Sequence, residues 1–193
     1  MTIPPVSERE LIRRAKSGDE RAFAELVNAH AHRVYTALRR FGLEPIEAED
    51  VAQEVFLRAW RSLPRFEERA RLSTWLYRIA FNEAQRRLAR RPRAIAEPGP
   101  GVDDEIALLP DAPHLRPDAR ALDHEFEVTL ERALAELPPD WRAAVVLRDI
   151  EALSTEEAAA AVGLREAAFK SRLHRGRMRL RALLEPYLGL EQG

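Results

Sequence analysis

Apolar positions recur at three- and four-residue steps through most of the chain, and no window shows a sustained two-residue alternation, so the pattern predicts helices and no strands. Ser7 with Glu10 opens a short helix ending near Gly18, and Asp19 caps a longer one that runs to about Arg40 and stops at Gly42. Phe23, Leu26, Val27, Val34, Tyr35 and Leu38 supply the buried face of this second helix. A third begins near Pro45, carries Val51, Val55, Phe56 and Trp60, and stops at Pro64. After a loop from Arg65 to Leu72, Ser73 or Thr74 is expected to cap a fourth helix that Pro92 ends.

From Arg93 to Pro117 the prolines Pro98, Pro100, Pro110, Pro113 and Pro117, with Gly99 and Gly101, exclude regular structure and read as a linker. Its 25 residues reach at most ~80–90 Å when fully extended. Beyond it an amphipathic helix is expected from about Ala119 to Leu137, and another from about Asp140 to Ile150. Ser154 and Glu157 then form an S-x-x-E capping box before the alanine run that ends at Ala161. Gly163 stops that helix and permits a sharp turn into a last one from Arg165, whose stripe is Phe169, Leu173, Leu180 and Leu184 with small Gly176 between. The expected fold is therefore all-α: two small helical domains, 1–92 and 118–193, joined by a Pro/Gly-rich acidic linker at 93–117, the second ending in a helix-turn-helix.

Charge changes this picture from architecture to chemistry. From Arg165 to Arg181 there are seven basic residues against the single acid Glu166, a net of +6, and a narrow helix so charged repels itself unless a polyanion lies against it. The fourth helix is also cationic toward its C-terminal end, with Arg78, Arg86, Arg87, Arg90, Arg91 and Arg93, and aromatic residues Phe66, Trp75, Tyr77 and Phe81 interleave in the loop before it and its first turns. Aromatic faces beside cations suit unpaired bases; the plain alternative is that these rings are core and the arginines a solvated helix end. The whole chain of 193 residues nevertheless carries a formal charge of only −1, because acids offset the arginines elsewhere. Ala94 to Glu131 alone holds ten acids against Arg116 and Arg120, a net of −8.

An apolar fraction of 46% is enough to bury real cores. There are no cysteines, which excludes disulfides, thiolate metal sites and a thiol redox sensor within the chain. The start MTIPPVSERELIRRAK has no apolar signal core and nothing approaches the ~18 consecutive apolar residues of a membrane span, so a cytoplasmic protein without membrane insertion is expected. His30 and His32 do not share a helical face, and His114, His124 and His174 lack paired carboxylates at ligand spacing. No metal, cofactor or catalytic constellation is expected, and the chain reads as a non-enzyme.

Three segments together resemble the extracytoplasmic-function (group IV) sigma factors of bacterial RNA polymerase: EDVAQEVFLRAWRSLPRF, TWLYRIAFNEAQRRLAR, and LAELPPDWRAAVVLRDIEALSTEEAAAAVGL with FKSRLHRGRMRLRALL. The resemblance implies a subunit that directs core polymerase to promoters and starts transcription. It places Asp50, Gln53, Glu54, Phe56 and Trp60 against the β′ clamp helices, with the β flap a further contact. It places Phe66, Ser73, Trp75 and Asn82 where a flipped-out base of opened −10 DNA is captured, with Arg78, Arg86 and Arg87 on its phosphates. Lys170, Ser171, His174 and Arg175 fall where the −35 duplex is read, and Arg172, Arg177 and Arg179 where its backbone is held. The linker falls where the family threads toward the RNA exit channel, its acids standing in for nucleic acid. An anti-sigma protein is the further partner implied. Two departures stand out: Ala167-Ala168-Phe169 where Gly-Thr-Val is common, and Ala152 where glycine is common. The alternative reading is a stand-alone helix-turn-helix regulator acting as a dimer on a symmetric operator.

Overall fold

The computed structural model describes residues 6–90 and 122–188, and every regular element among them is helical. The linker at 93–117 and the expected start of the fifth helix lie outside the described residues. The N-terminal unit contains α1 (Glu8–Lys16), α2 (Glu20–Arg40), α3 (Pro45–Ser62) and α4 (Leu72–Ala89); the C-terminal unit contains α5 (Leu122–Ala135), α6 (Pro139–Val145), α7 (Thr155–Ala161) and α8 (Glu166–Leu188).

Most of the helix starts are fixed as the side chains dictate. Asp19 accepts the N–H groups of Arg21 and Ala22 at 3.0 and 3.1 Å, satisfying two donors that the helix itself cannot. Ser154 and Glu157 close the reciprocal box, at 3.1 Å from the Glu157 N–H to Ser154 Oγ and 2.9 Å from the Ser154 N–H to the Glu157 carboxylate. Ser7 accepts the Glu10 N–H at 3.3 Å, but the Glu10 carboxylate turns to Arg13 instead of back to Ser7. The fourth helix differs from expectation. It starts one residue before Ser73, with Arg71 as its N-cap and no side-chain cap bond. Thr74 is only 7% exposed, and its hydroxyl donates across the molecule to Glu157 at 3.1 Å, so it is not available for capping.

The N-terminal core is made by Leu26, Val34 and Leu38 of α2, Val51 and Val55 of α3, and Leu76, Tyr77 and Ala80 of α4, closed by the edge-to-face pair Phe41–Phe81 at 5.6 Å. Phe23, Val27 and Tyr35 lie at its margin, half-buried. In the C-terminal unit the segment expected as one helix to Ile150 is α6 followed by a π-helical turn over Val146–Ile150, which widens the last turn while keeping Val145, Val146 and Leu147 inside. Phe169, Leu173 and Leu184 of α8 are buried as the stripe predicts, with Leu180 half-buried. Gly176 is the contact point with α6: a Cβ there would lie 2.8 Å from Val145 Cγ2 and 3.0 Å from the Trp141 carbonyl oxygen. The two units are in contact through α4 against α7 and the end of α2 against α5, and their apolar cores form one continuous cluster.

Two backbone positions are left-handed around α7. Gly163 has φ +71°, as the turn before α8 requires. Ala152 has φ 54° although it carries a Cβ, at the position where the resemblance sets glycine. Ala152→Gly is expected to raise stability by about 1 kcal/mol in denaturant unfolding, because the left-handed conformation strains an L side chain. The Glu157 carboxyl is held below its ordinary value of 4.5, first by the Ser154 N–H and also by the Thr74 hydroxyl. Its contribution is thus complete above that value and is lost as pH falls through the lower folded one. An acid titration of α7 amide protection should show this loss, and Glu157→Gln should remove it.

Candidate nucleic-acid interface

The outer face of α3 holds Asp50, Gln53 and Glu54 in solvent, as expected of a docking surface. The same face carries two apolar residues that sequence reasoning missed, Ile46 at 75% and Leu57 at 56% exposure. Their spacing from Asp50, Gln53 and Glu54 follows the helical repeat, which is the signal that could have found them. Phe56 and Trp60, expected beside the acids, point the other way. Both are half-buried against the core, and Trp60 packs on Phe23 with ring centroids 4.8 Å apart, because burying these rings contributes more than presenting them to water.

The aromatic residues near α4 are corrected in the same sense. Phe66 is 6% exposed and packs on half-buried Trp75 at 4.9 Å, while Tyr77 and Phe81 are core. Of the four rings, then, only Trp75 keeps a partly open face, and the stacking platform expected from the sequence is largely the core of the domain. Lys16 fixes the loop by donating to the Phe66 carbonyl oxygen at 2.6 Å. Arg78, Asn82 and Arg86 are exposed and Ser73 and Arg87 half-exposed. Arg78 has no ion-pair partner among the described residues, whereas Arg86 and Arg87 are braced. Glu83, with a side chain 5% exposed, takes Arg58 of α3 at 2.9 Å and Arg86 at 2.8 Å. Arg87 donates to Glu47 at 3.2 Å and lies 3.9 Å from Asp50. Asp50 and Arg87, expected to serve polymerase and DNA respectively, are therefore neighbours across one groove.

On α8 the turn after Gly163 puts the stripe of Phe169, Leu173 and Gly176 inward, which leaves Lys170, His174, Arg175 and Arg179 exposed and Ser171, Arg172 and Arg177 half-exposed on the outer faces. The cations divide by their partners. Arg177 grips Asp149 through two bonds, at 3.0 and 2.7 Å, and Arg172 pairs with Asp140 at 3.1 Å. Among the described residues Lys170 pairs only with its exposed helical neighbour Glu166, at 3.7 Å. Met178, 56% exposed, continues the row of Lys170 and His174 at four-residue spacing, which is the signal for it in the sequence. Of the histidines described, His30 is buried with its Nε2 3.3 Å from Glu8, and no group of three metal-ligating side chains exists among the described residues.

Two cationic helices on separate units, joined in one chain, match two separate family models. Residues 26–94 match Sigma-70 region 2, and residues 127–180 match Sigma-70, region 4. The RNA polymerase sigma-H factor of Pseudomonas aeruginosa is 35% identical over 186 residues, covering 94% of this chain and 95% of its own. The ECF RNA polymerase sigma-E factor of Escherichia coli K12 is 31% identical over 188 residues, covering 95% and 97%. The chain belongs to the extracytoplasmic-function sigma factor family. Its fold agrees with that of CnrH, solved in complex with the cytosolic domain of CnrY, at a TM-score of 0.64 and 32% identity over 93% of this chain and 97% of that one. A sigma factor RpoE from Bartonella quintana, solved with the anti-sigma factor NepR, gives 0.62 and 25%, over 84% and 96%.

This sigma factor directs RNA polymerase to promoters, and its family consists of DNA-binding transcription factors. The stand-alone regulator is not favoured. No described helix is long and apolar enough to cross a membrane. Because Glu83 is the buried acid between α3 and α4, Glu83→Ala is expected to lower stability by about 2 kcal/mol, less than the loss of a fully buried pair since both arginines are half in water. Thermal or denaturant unfolding of the variant measures it.

Proposed function

We propose that the two units divide the promoter between them, residues 1–92 serving polymerase docking and −10 DNA, 118–193 serving the −35 duplex, with 93–117 as the acidic connection. The observation that carries this reading is the pair of cationic faces on α4 and α8, each presented by an inward apolar stripe on its own helix. Asp50, Gln53 and Glu54 dock on the β′ clamp helices, and Ile46 and Leu57 supply the apolar contact among them. Phe56 and Trp60 act from behind, setting the pitch of α3. The β flap takes a surface of the C-terminal unit.

On the DNA side, Ser73, Asn82 and the open face of Trp75 meet an unpaired −10 base, with Phe66 as the floor beneath Trp75, and Arg78, Arg86 and Arg87 meet phosphates. Lys170, Ser171, His174 and Arg175 reach base edges in the major groove, while Arg172, Arg177 and Arg179 hold the backbone. Arg172 and Arg177 suit the second task because Asp140 and Asp149 already fix their heads. Met178 extends the reading row and suits a thymine methyl group. An anti-sigma protein is the inhibitory partner, as for the relatives solved with theirs, and the site of action is the cytoplasm, where polymerase works.

Run-off transcription with purified core polymerase on genomic DNA tests the reading: discrete start sites are expected, and failure to bind core would overturn it. Arg175→Ala should cost about 1–3 kcal/mol at one −35 position and relax specificity there. Arg172→Ala should instead weaken all sequences alike and lower the slope of log K against log salt by about 1.

A further inference from the structure

The loop between α3 and α4 carries Phe66 and leads into Ser73 and Trp75, yet the polar groups that fix its course stand on α1. Leu63–Arg65 form a 3₁₀ turn, and the Phe66 N–H donates to the Leu63 carbonyl at 3.0 Å. The Phe66 carbonyl accepts from the Lys16 ammonium at 2.6 Å, so both backbone polar groups of this residue are taken up. The same ammonium lies 3.3 Å from Glu68 Oε1, and Arg9, also on α1, lies 3.7 Å from Oε2. Glu68 has φ 57°, a left-handed conformation that strains an L side chain and persists only where its surroundings impose it. At its far end the loop gets no such support, because Arg71 starts α4 with no side-chain cap bond.

α1 can brace the loop because it is itself firmly set. It packs on α2 through buried Leu11, Ile12 and Ala15, and Arg14 closes the turn between the two helices on Asp19 at 2.8 Å. Lys16 is the last residue of α1, and its side chain is 28% exposed. An ammonium with three donors on a flexible stem can serve a carbonyl and a carboxylate together, and with both acceptors in place its charge is turned inward. The effect reaches the aromatic pair directly: the Phe66 ring lies beneath Trp75 at 4.9 Å, so a displaced Phe66 backbone changes the tilt of Trp75. Residues 26–94 are the part that matches Sigma-70 region 2, so α1 precedes the matched segment.

We propose that Lys16 is a positioning residue for −10 recognition, which from α1 holds the Phe66 carbonyl and Glu68 so that the Phe66 ring supports Trp75 at the angle that receives an unpaired base. The proposal rests on the reading of Ser73, Trp75 and Asn82 as the −10 base site given above. Lys16 touches no DNA in this role. Its contribution is preorganisation: a loop ordered before the base arrives loses less freedom on binding, and discrimination between bases depends on a platform whose tilt is fixed. Arg9 is the lesser partner, since its side chain is 89% exposed and an exposed ion pair at 3.7 Å is screened by water and salt.

Holoenzyme assembled from core polymerase and the full chain is titrated with a DNA carrying the −35 duplex and a pre-opened −10 segment, and with the same DNA made abasic at the captured position. Lys16→Met keeps the stem and removes the charge and the donors, and should lower the ratio of the two affinities about tenfold while binding to a DNA with only the −35 duplex is unchanged. Lys16→Arg can still donate to the Phe66 carbonyl and should restore most of the ratio. Glu68→Gln should lower it less than Lys16→Met, because the bond to the carbonyl remains. A ratio unchanged in Lys16→Met, or equal weakening on both DNAs with the ratio kept, would overturn the positioning role. Asn82→Ala separates the two claims: a ratio that falls in Asn82→Ala but holds in Lys16→Met removes the brace and leaves the −10 site, whereas a ratio unmoved by either removes the reading of the site and the brace with it.

Discussion

The carboxylate of Glu83 lies almost wholly inside the N-terminal unit and takes a guanidinium group from each side, Arg58 from α3 and Arg86 from α4. A helix as cationic as α4 can be held against a protein body only if acids receive its inward-leaning arginines, since unpaired charges in contact with a core cost several kcal/mol each. The same solution recurs where α8 meets its own unit, with Asp149 under Arg177 and Asp140 beside Arg172. These pairs sort the arginines. Those taken up by acids are fixed in direction and partly neutralised, and those without such acids, Arg78 among them, carry their field into solvent. A chain with a net charge of −1 can in this way present strongly positive faces to a polyanion.

The constraint extends to the relation between the units. Among the described residues Glu151 is the buried acid whose side-chain donors all come from the other unit, so the charge pairing that elsewhere builds a unit here joins two. These polar pairs sit beside apolar packing, since the cores of the two units form one continuous cluster.

Much of this was legible in the sequence. The capping box at Ser154 and Glu157, the alanine run and Gly163 are local signals, and α7 and its turn follow them. The stripe of Phe169, Leu173 and Gly176 set which face of α8 looks outward. Where reading failed, a tertiary partner had overridden a local signal. Thr74 has the side chain of a helix cap, yet Glu157 takes its hydroxyl from 83 residues away. Phe66, Phe56 and Trp60 have the composition of binding surfaces, yet Phe23, Trp75 and the core claim their rings. Ile46 and Leu57 carry no clear signal in the sequence, because isolated apolar residues on a largely polar face gain meaning only once the neighbouring helices are in place. Glu151 has no sequence signature at all, since its meaning comes only from Arg33, Arg40 and Tyr77 meeting it in space.

The account stands on one chain acting at two places on one promoter. Footprinting of the holoenzyme at a mapped start site, with chemical probing of unpaired thymines, tests that directly. Protection of the −35 duplex together with reactive thymines at −10, both requiring polymerase, is the predicted result; protection of a symmetric duplex site by the chain alone, with no strand opening when polymerase is added, would contradict it.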